Sequence, residues 1–178
     1  MGWKNVKEHY RITQHIVHVT SDGICIGSGF IPDIIIIDLE GKLVKRYDRG
    51  LGELMRYEQE MAADPETLTR LVTTPDHFGE SVAVYTYRGA DILEKQCEKP
   101  GWPNVTHDGE LMCENMFSTD KQKVIGWAKH YASSGVAHFH RDIAEVEKQL
   151  QILKARLAEC ESDRAALDAR YPTDTNEN

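Results

Sequence analysis

The sequence predicts an α+β fold, with an antiparallel β-sheet, helices packed on one face of it, and a long C-terminal helix of coiled-coil type. Three observations carry that reading. The first 47 residues break into short β-branched runs between Gly, Asp and Pro turns, residues 50–75 switch to helical spacing, and from Ile143 onward apolar residues recur every three or four positions. A chain of 178 residues, 40% hydrophobic and 28% charged, has room for one ordinary domain and an appended element. The expected division is a globular domain over 1–136, an amphipathic helix over 137–172 and a loose tail over 173–178.

Trp3 to Tyr10 is compatible with a short helix or with coil. His15 to Thr20 reads as a strand, and Ser21-Asp22-Gly23 turns it into a second, Ile24-Cys25-Ile26. Gly27-Ser28-Gly29 breaks that strand, and Pro32-Asp33 leads into Ile34 to Asp38, a β-branched run expected to be the centre of the sheet and buried on both faces. Leu39-Glu40-Gly41-Lys42 turns the chain back into Leu43 to Tyr47, which completes an antiparallel meander.

The period changes at Gly50, where Leu51, Leu54, Met55, Met61 and Ala62 take helical spacing. Asp64 before Pro65 is an N-cap followed by proline at the first helical position, and Leu68, Leu71 and Val72 stripe a second helix that Thr74-Pro75 stops. Ser81 to Tyr87 alternates as a strand and is expected to rejoin the sheet. Ala90 to Lys99 reads as a short helix, Pro100-Gly101-Trp102-Pro103 as loop, and Asp108-Gly109 as a turn into a brief strand around Leu111 to Phe117. Thr119-Asp120-Lys121-Gln122 fits a capping box, and Val124, Ile125, Ala128, Tyr131 and Ala132 form one face of a helix that Gly135 is expected to cap.

The last helix is expected from about Arg141 to Tyr171. With Ile143 at heptad position a, Val146 falls at d, Leu150 at a, Leu153 at d, Leu157 at a, Cys160 at d, Arg164 at a, Leu167 at d and Tyr171 at a. Only Arg164 among these resists burial, and Pro172 ends the pattern. A two-position seam is unstable alone in water, so it is expected to meet another helix, most simply that of a second copy. The expected oligomerisation residues are Ile143, Val146, Leu150, Leu153, Leu157, Cys160 and Leu167. In a parallel in-register pair the flanking contacts are Gln149 with Lys154, Arg156 with Glu161, and Asp163 with Asp168, in turn neutral, attractive and repulsive. Together with Arg164 in the seam, this disfavours a long parallel zipper.

The formal net charge of −8 is concentrated in the middle of the chain, where residues 76–120 carry nine acids against three bases. Such a surface repels phosphates, so no direct nucleic-acid binding is expected; Lys121, Lys123 and Lys129 form a small exception. The longest apolar run, Ile34 to Ile37, is far short of the ~20 residues of a membrane span. The start lacks the apolar stretch of a secretory signal, so a cytoplasmic protein with no membrane partner is expected. Cys25, Cys97, Cys113 and Cys160 are widely separated, with no C-x-x-C pair, which fits reduced thiols.

Candidate chemistry is sparse. His107-Asp108-Gly109-Glu110 places a base beside two carboxylates, the groups acid/base catalysis needs, so His107, Asp108 and Glu110 are the candidate catalytic residues. Gly27, Ser28 and Gly29 are the candidate phosphate-holding residues, because successive N–H groups of a glycine loop can face an anion, although the P-loop lysine is missing. His15 and His18 point to opposite faces of a strand; His138 and His140 would share a strand face but diverge on a helix, and no Cys or carboxylate completes either pair at a familiar spacing, so neither a metal nor a cofactor is expected. Cys97 has glutamates nearer than lysines, and Trp102 is either a partner anchor or packed under its own loop. These features imply a non-enzymatic interaction or regulatory protein that acts as a dimer. Its acidic middle segment is expected to engage a basic, nucleic-acid-handling protein as an inhibitor or decoy. The alternative is a small nucleotide-binding protein or enzyme with its site near Gly23–Gly29 or His107–Glu110.

Overall fold

The computed structural model of the chain describes residues 1–47 and 52–171. The expected helix start at Gly50 and Leu51, the stop at Pro172 and the tail 173–178 lie outside the described residues. The chain divides into two compact units, Met1–Lys129 and His130–Asn178.

In the first unit, α1 (Trp3–His9) precedes a meander of β1 (Ile16–Thr20), β2 (Gly23–Gly27), β3 (Ile35–Ile37) and β4 (Leu43–Lys45), antiparallel throughout and in the order β1-β2-β3-β4. The register sets Val17 opposite Ile26, Ile24 opposite Ile37 and Ile26 opposite Ile35, so these five apolar side chains share one face. They join Trp3 and Val6 of α1, Tyr57 and Met61 of α2 (Glu53–Ala63), and Leu68 and Val72 of α3 (Pro65–Thr73) in one core. The α+β reading with helices on one face therefore holds. Burial on both faces falls to β2 rather than to the isoleucine run: all five β2 residues are buried, whereas Ile36 of β3 is only half-buried. On the face away from the helices, the Pro32 loop folds back toward β1 and β2, and His18 Nε2 donates to the Pro32 carbonyl at 3.1 Å.

Two caps behave as their residue types dictate. Asp64 accepts from the Thr67 N–H at 3.0 Å ahead of Pro65, and Asp76, far along the chain, accepts from the N–H groups of Lys4 and Asn5 that open α1.

Three expectations for residues 81–117 fail. The strand β5 (Val82–Arg88) does not rejoin the meander; it forms a separate two-stranded sheet with β6 (Asp91–Cys97). That second strand is the segment read as a short helix. Leu93, Glu94, Lys95 and Gln96 are good helix formers, but Gly89 at φ +61° opens a two-residue turn that pairs Arg88 with Asp91, and the hairpin overrides propensity. The brief strand across Leu111 to Phe117 is absent as well. The turn at Gly109 (φ +90°) is present, but isolated bridges, Val105 to Leu111 and Tyr85 to Ser118, replace a ladder, and Asn115 at φ +60° breaks the extended path.

The final element, α4 (Lys121–Arg170), is one 50-residue helix, about 75 Å long at ~1.5 Å per residue. Its N-cap is Asp120, whose Oδ1 accepts from the N–H groups of Gln122 and Lys123 at 2.9 and 3.2 Å. Gly135 does not end it, because no left-handed residue occurs there and the helix runs straight through Ser133-Ser134-Gly135. Among the described residues no helix is long and apolar enough to cross a membrane.

Candidate functional site

The His107 to Glu110 turn does gather its charged groups, around a residue the sequence reading placed on a helix. Lys95 of β6 reaches back with its ammonium between the carboxylates of Asp108 and Glu110. Thr106 binds both ends of the turn. Its hydroxyl donates to Asp108, and it accepts from the Glu110 N–H at 2.9 Å. Burial pushes the Asp108 carboxyl up, but hydrogen bonds from Lys95 and Thr106 outweigh it and hold the group below the ordinary carboxylate range. Burial likewise pulls Lys95 down, while its two carboxylate partners outweigh that and raise it.

His107 is engaged on several sides. Its ring stacks on Phe78 at 3.8 Å and 7°, and Nε2 lies 3.1 Å from the Glu80 carbonyl, which makes that nitrogen the donor. The backbone ties outward as well: His107 N–H donates to Gln96 of β6, Trp3 Nε1 of α1 donates to the His107 carbonyl, and Val19 N–H of β1 donates to the Gly109 carbonyl. Glycine is required at 109 twice over. Its φ is left-handed, and a Cβ there would lie 2.2 Å from Val19 Cγ2. The arrangement accounts for the turn as a clasp fastening the β5–β6 hairpin to β1 and α1.

At Gly27-Ser28-Gly29 the serine's own groups are already engaged. The Ser28 N–H bonds to the Ile31 carbonyl at 2.8 Å, and Ser28 Oγ accepts from the N–H groups of Phe30 and Ile31. The loop closes on itself as a turn, with the N–H groups of Ser28, Phe30 and Ile31 bonded within it. Its tip is apolar: Phe30 is 99% exposed. Beside it Trp102, 40% exposed, lies against Gly29, and the two line an open groove of about 690 Å³ with Ile16, Pro103 and Cys113. That volume is in the range of small-ligand sites, but the polar groups on its wall, Gln14, Ser28 and Glu114, are few and none is a buried charge.

The other leads resolve simply. Cys97 is buried, its thiol faces the Val82 carbonyl, and burial pushes its pKa up, which disfavours a thiolate. His138 pairs with Asp142 one turn on, and among the described residues no three His, Cys, Asp or Glu side chains stand close enough to share a metal ion. Of the nine acids in 76–120, five already serve the chain: Asp76 and Asp120 cap helices, Glu98 pairs with Lys4 at 2.6 Å, and Asp108 and Glu110 hold Lys95. Glu80, Asp91, Glu94 and Glu114 remain exposed.

Family models, curated proteins and solved structures give no match to this chain.

What is left uncovered is the seam of α4. Ile143, Val146, Leu150, Leu153, Leu157 and Leu167 are between 47% and 63% exposed, all on the a and d positions of one repeat. The continuous helix adds two residues that the expected break at Gly135 had hidden. Val136 and Phe139, 58% and 65% exposed, fall at a and d of the preceding heptad in the same phase. Counting back seven and four residues from Ile143 finds both, once no helix end is assumed between them.

Proposed function

We propose that this chain is a non-enzymatic self-assembling protein that pairs its C-terminal helix with that of a second copy, so that each assembly carries two globular units. One observation carries the reading: six large aliphatic side chains in heptad phase lie open to water along α4. Single chains rarely leave an apolar stripe of that extent uncovered, and a helix this long gains its stability from burying such a face. The closed clasp at His107 to Glu110 and the self-satisfied Ser28 loop favour interaction over catalysis. A decoy role on a basic protein rests on Glu80, Asp91, Glu94 and Glu114 alone.

Sedimentation equilibrium tests the proposal. The natural chain is expected to be a dimer at micromolar concentration, and Leu150→Glu with Leu157→Glu to return it to a monomer whose globular unit keeps its fold. A natural chain that sediments as a monomer at high concentration overturns the reading.

A further inference from the structure

Residues 136–170 of α4 carry five a positions and five d positions in unbroken phase, and Tyr171, just past the helix end, falls at the next a. How two such helices pair is constrained by what each orientation sets face to face. In a parallel in-register pair every layer is a residue against its own copy, so Arg164 meets Arg164 in the seam. The extended repeat also adds a flanking contact, Asp142 at g with Glu147 at e, so that two of the contacts, this one and Asp163 with Asp168, set like charges together on both sides of the pair. Arg156 with Glu161 is the single attraction. Staggering a parallel pair by a heptad moves Arg164 off its copy but breaks the two-fold symmetry, leaving open ends that recruit further copies.

An antiparallel pair closes with two-fold symmetry and packs a against d. We infer that α4 pairs antiparallel with a second copy, in the register that sets Leu150 opposite the partner's Leu153. That choice fixes the other layers: Val136 with the partner's Leu167, Ile143 with the partner's Cys160, Leu157 with the partner's Val146, and Arg164 with the partner's Phe139. Every aliphatic seam residue then meets an apolar side chain. The guanidinium that repelled its copy lies across an aromatic face, with its aliphatic stem over the seam. Along the e row, Glu147 comes within about two residues, roughly 3 Å along the axis, of the partner's Lys154. His140 stands equally close to the partner's Glu161. The g row is less favourable, with Asp142 near the partner's Asp163, but Gln149 meets the partner's Arg156 and the balance exceeds that of the parallel pair. Sliding the register by one heptad loses this match: one way sets Leu167 against Lys129, the other carries Val136 past the end of the partner helix at Arg170.

This orientation rests on the self-association proposed above, and disulfide trapping of the full chain separates the two. On a Cys113→Ala background the remaining non-helix thiols, Cys25 and Cys97, are buried. One chain keeps Cys160; a second, carrying a mass tag, has I143C with C160A. After subunit exchange the mixture is oxidised with diamide. The expected product is the mixed disulfide between the two chains. A second mixture, V136C with L167C, each on C160A, gives the same result by a different layer and guards against weakening of the pair by Ile143→Cys. Disulfides formed chiefly within each chain type establish a parallel pair and overturn the orientation while leaving self-association intact. A sedimenting dimer that forms no mixed disulfide in either mixture overturns the register. A monomer overturns both readings.

Discussion

Lys95 shows how much can depend on one side chain placed between two others. Its ammonium is largely shielded from solvent, and it neutralises Asp108 and Glu110 where the chain reverses at Gly109. Replacing it by Met keeps most of the apolar stem and removes the charge, leaving two carboxylates side by side. Asp108 is itself well exposed, so screening limits the loss at neutral pH to about 1 kcal/mol. The pH dependence has a definite sign. Asp108 is held below its unfolded value, so its contribution is complete above the ordinary carboxylate range, near pH 4, and is lost as pH falls through the lower folded value. Urea midpoints of natural chain and Lys95→Met are therefore expected to differ at pH 7 and to converge toward pH 2. A gap of constant size across that range would mean that Lys95 acts through its stem alone.

At the scale of elements, the meander, the α2–α3 pair and the heptad were legible because their signals are local. Turn residues, proline after Asp64 and a repeat of 3.5 residues each act within a few positions. The β6 strand was not legible, because Leu93, Glu94, Lys95 and Gln96 prefer a helix and only the pairing with β5 decides against it. That error also hid Lys95 from the candidate site: on a helix it had no reason to meet Asp108. Gly135 misled in the opposite way, since glycine after Ser133-Ser134 resembles a helix stop and nothing nearby reveals that the helix continues. The difference is measurable. At a left-handed C-cap, alanine destabilises; inside a helix, it stabilises by about 0.5–1 kcal/mol. A Cβ at position 135 meets no atom within 4 Å in the chain, and position 135 lies at g rather than in the seam. Gly135→Ala is expected to raise the midpoint of the helical circular-dichroism transition, and a lowered midpoint would restore the helix end.

For the whole molecule, the two units should respond differently to concentration. The core of the first unit is closed within one chain, around Val6, Ile24, Ile26, Ile37, Tyr57 and Met61, so its unfolding is a property of the single chain. In His130–Asn178 the large apolar side chains of α4 are exposed, and in the pair proposed above a second copy buries them. Mass action then makes the stability of that segment depend on protein concentration, by RT ln of the dilution factor when dimer dissociates to monomer, or about 2.7 kcal/mol for a hundredfold dilution. Trp3 and Trp102 lie in the first unit off α4, so with Trp127, which α4 carries, replaced by Phe, tryptophan fluorescence reports the first unit, while ellipticity at the helical band is weighted toward the 50-residue helix. Over a hundredfold range of concentration, the ellipticity midpoint is expected to fall on dilution while the fluorescence midpoint stays fixed. Coincident midpoints that do not move would show the helix to be stable without a partner, and the seam would then need another explanation than self-pairing.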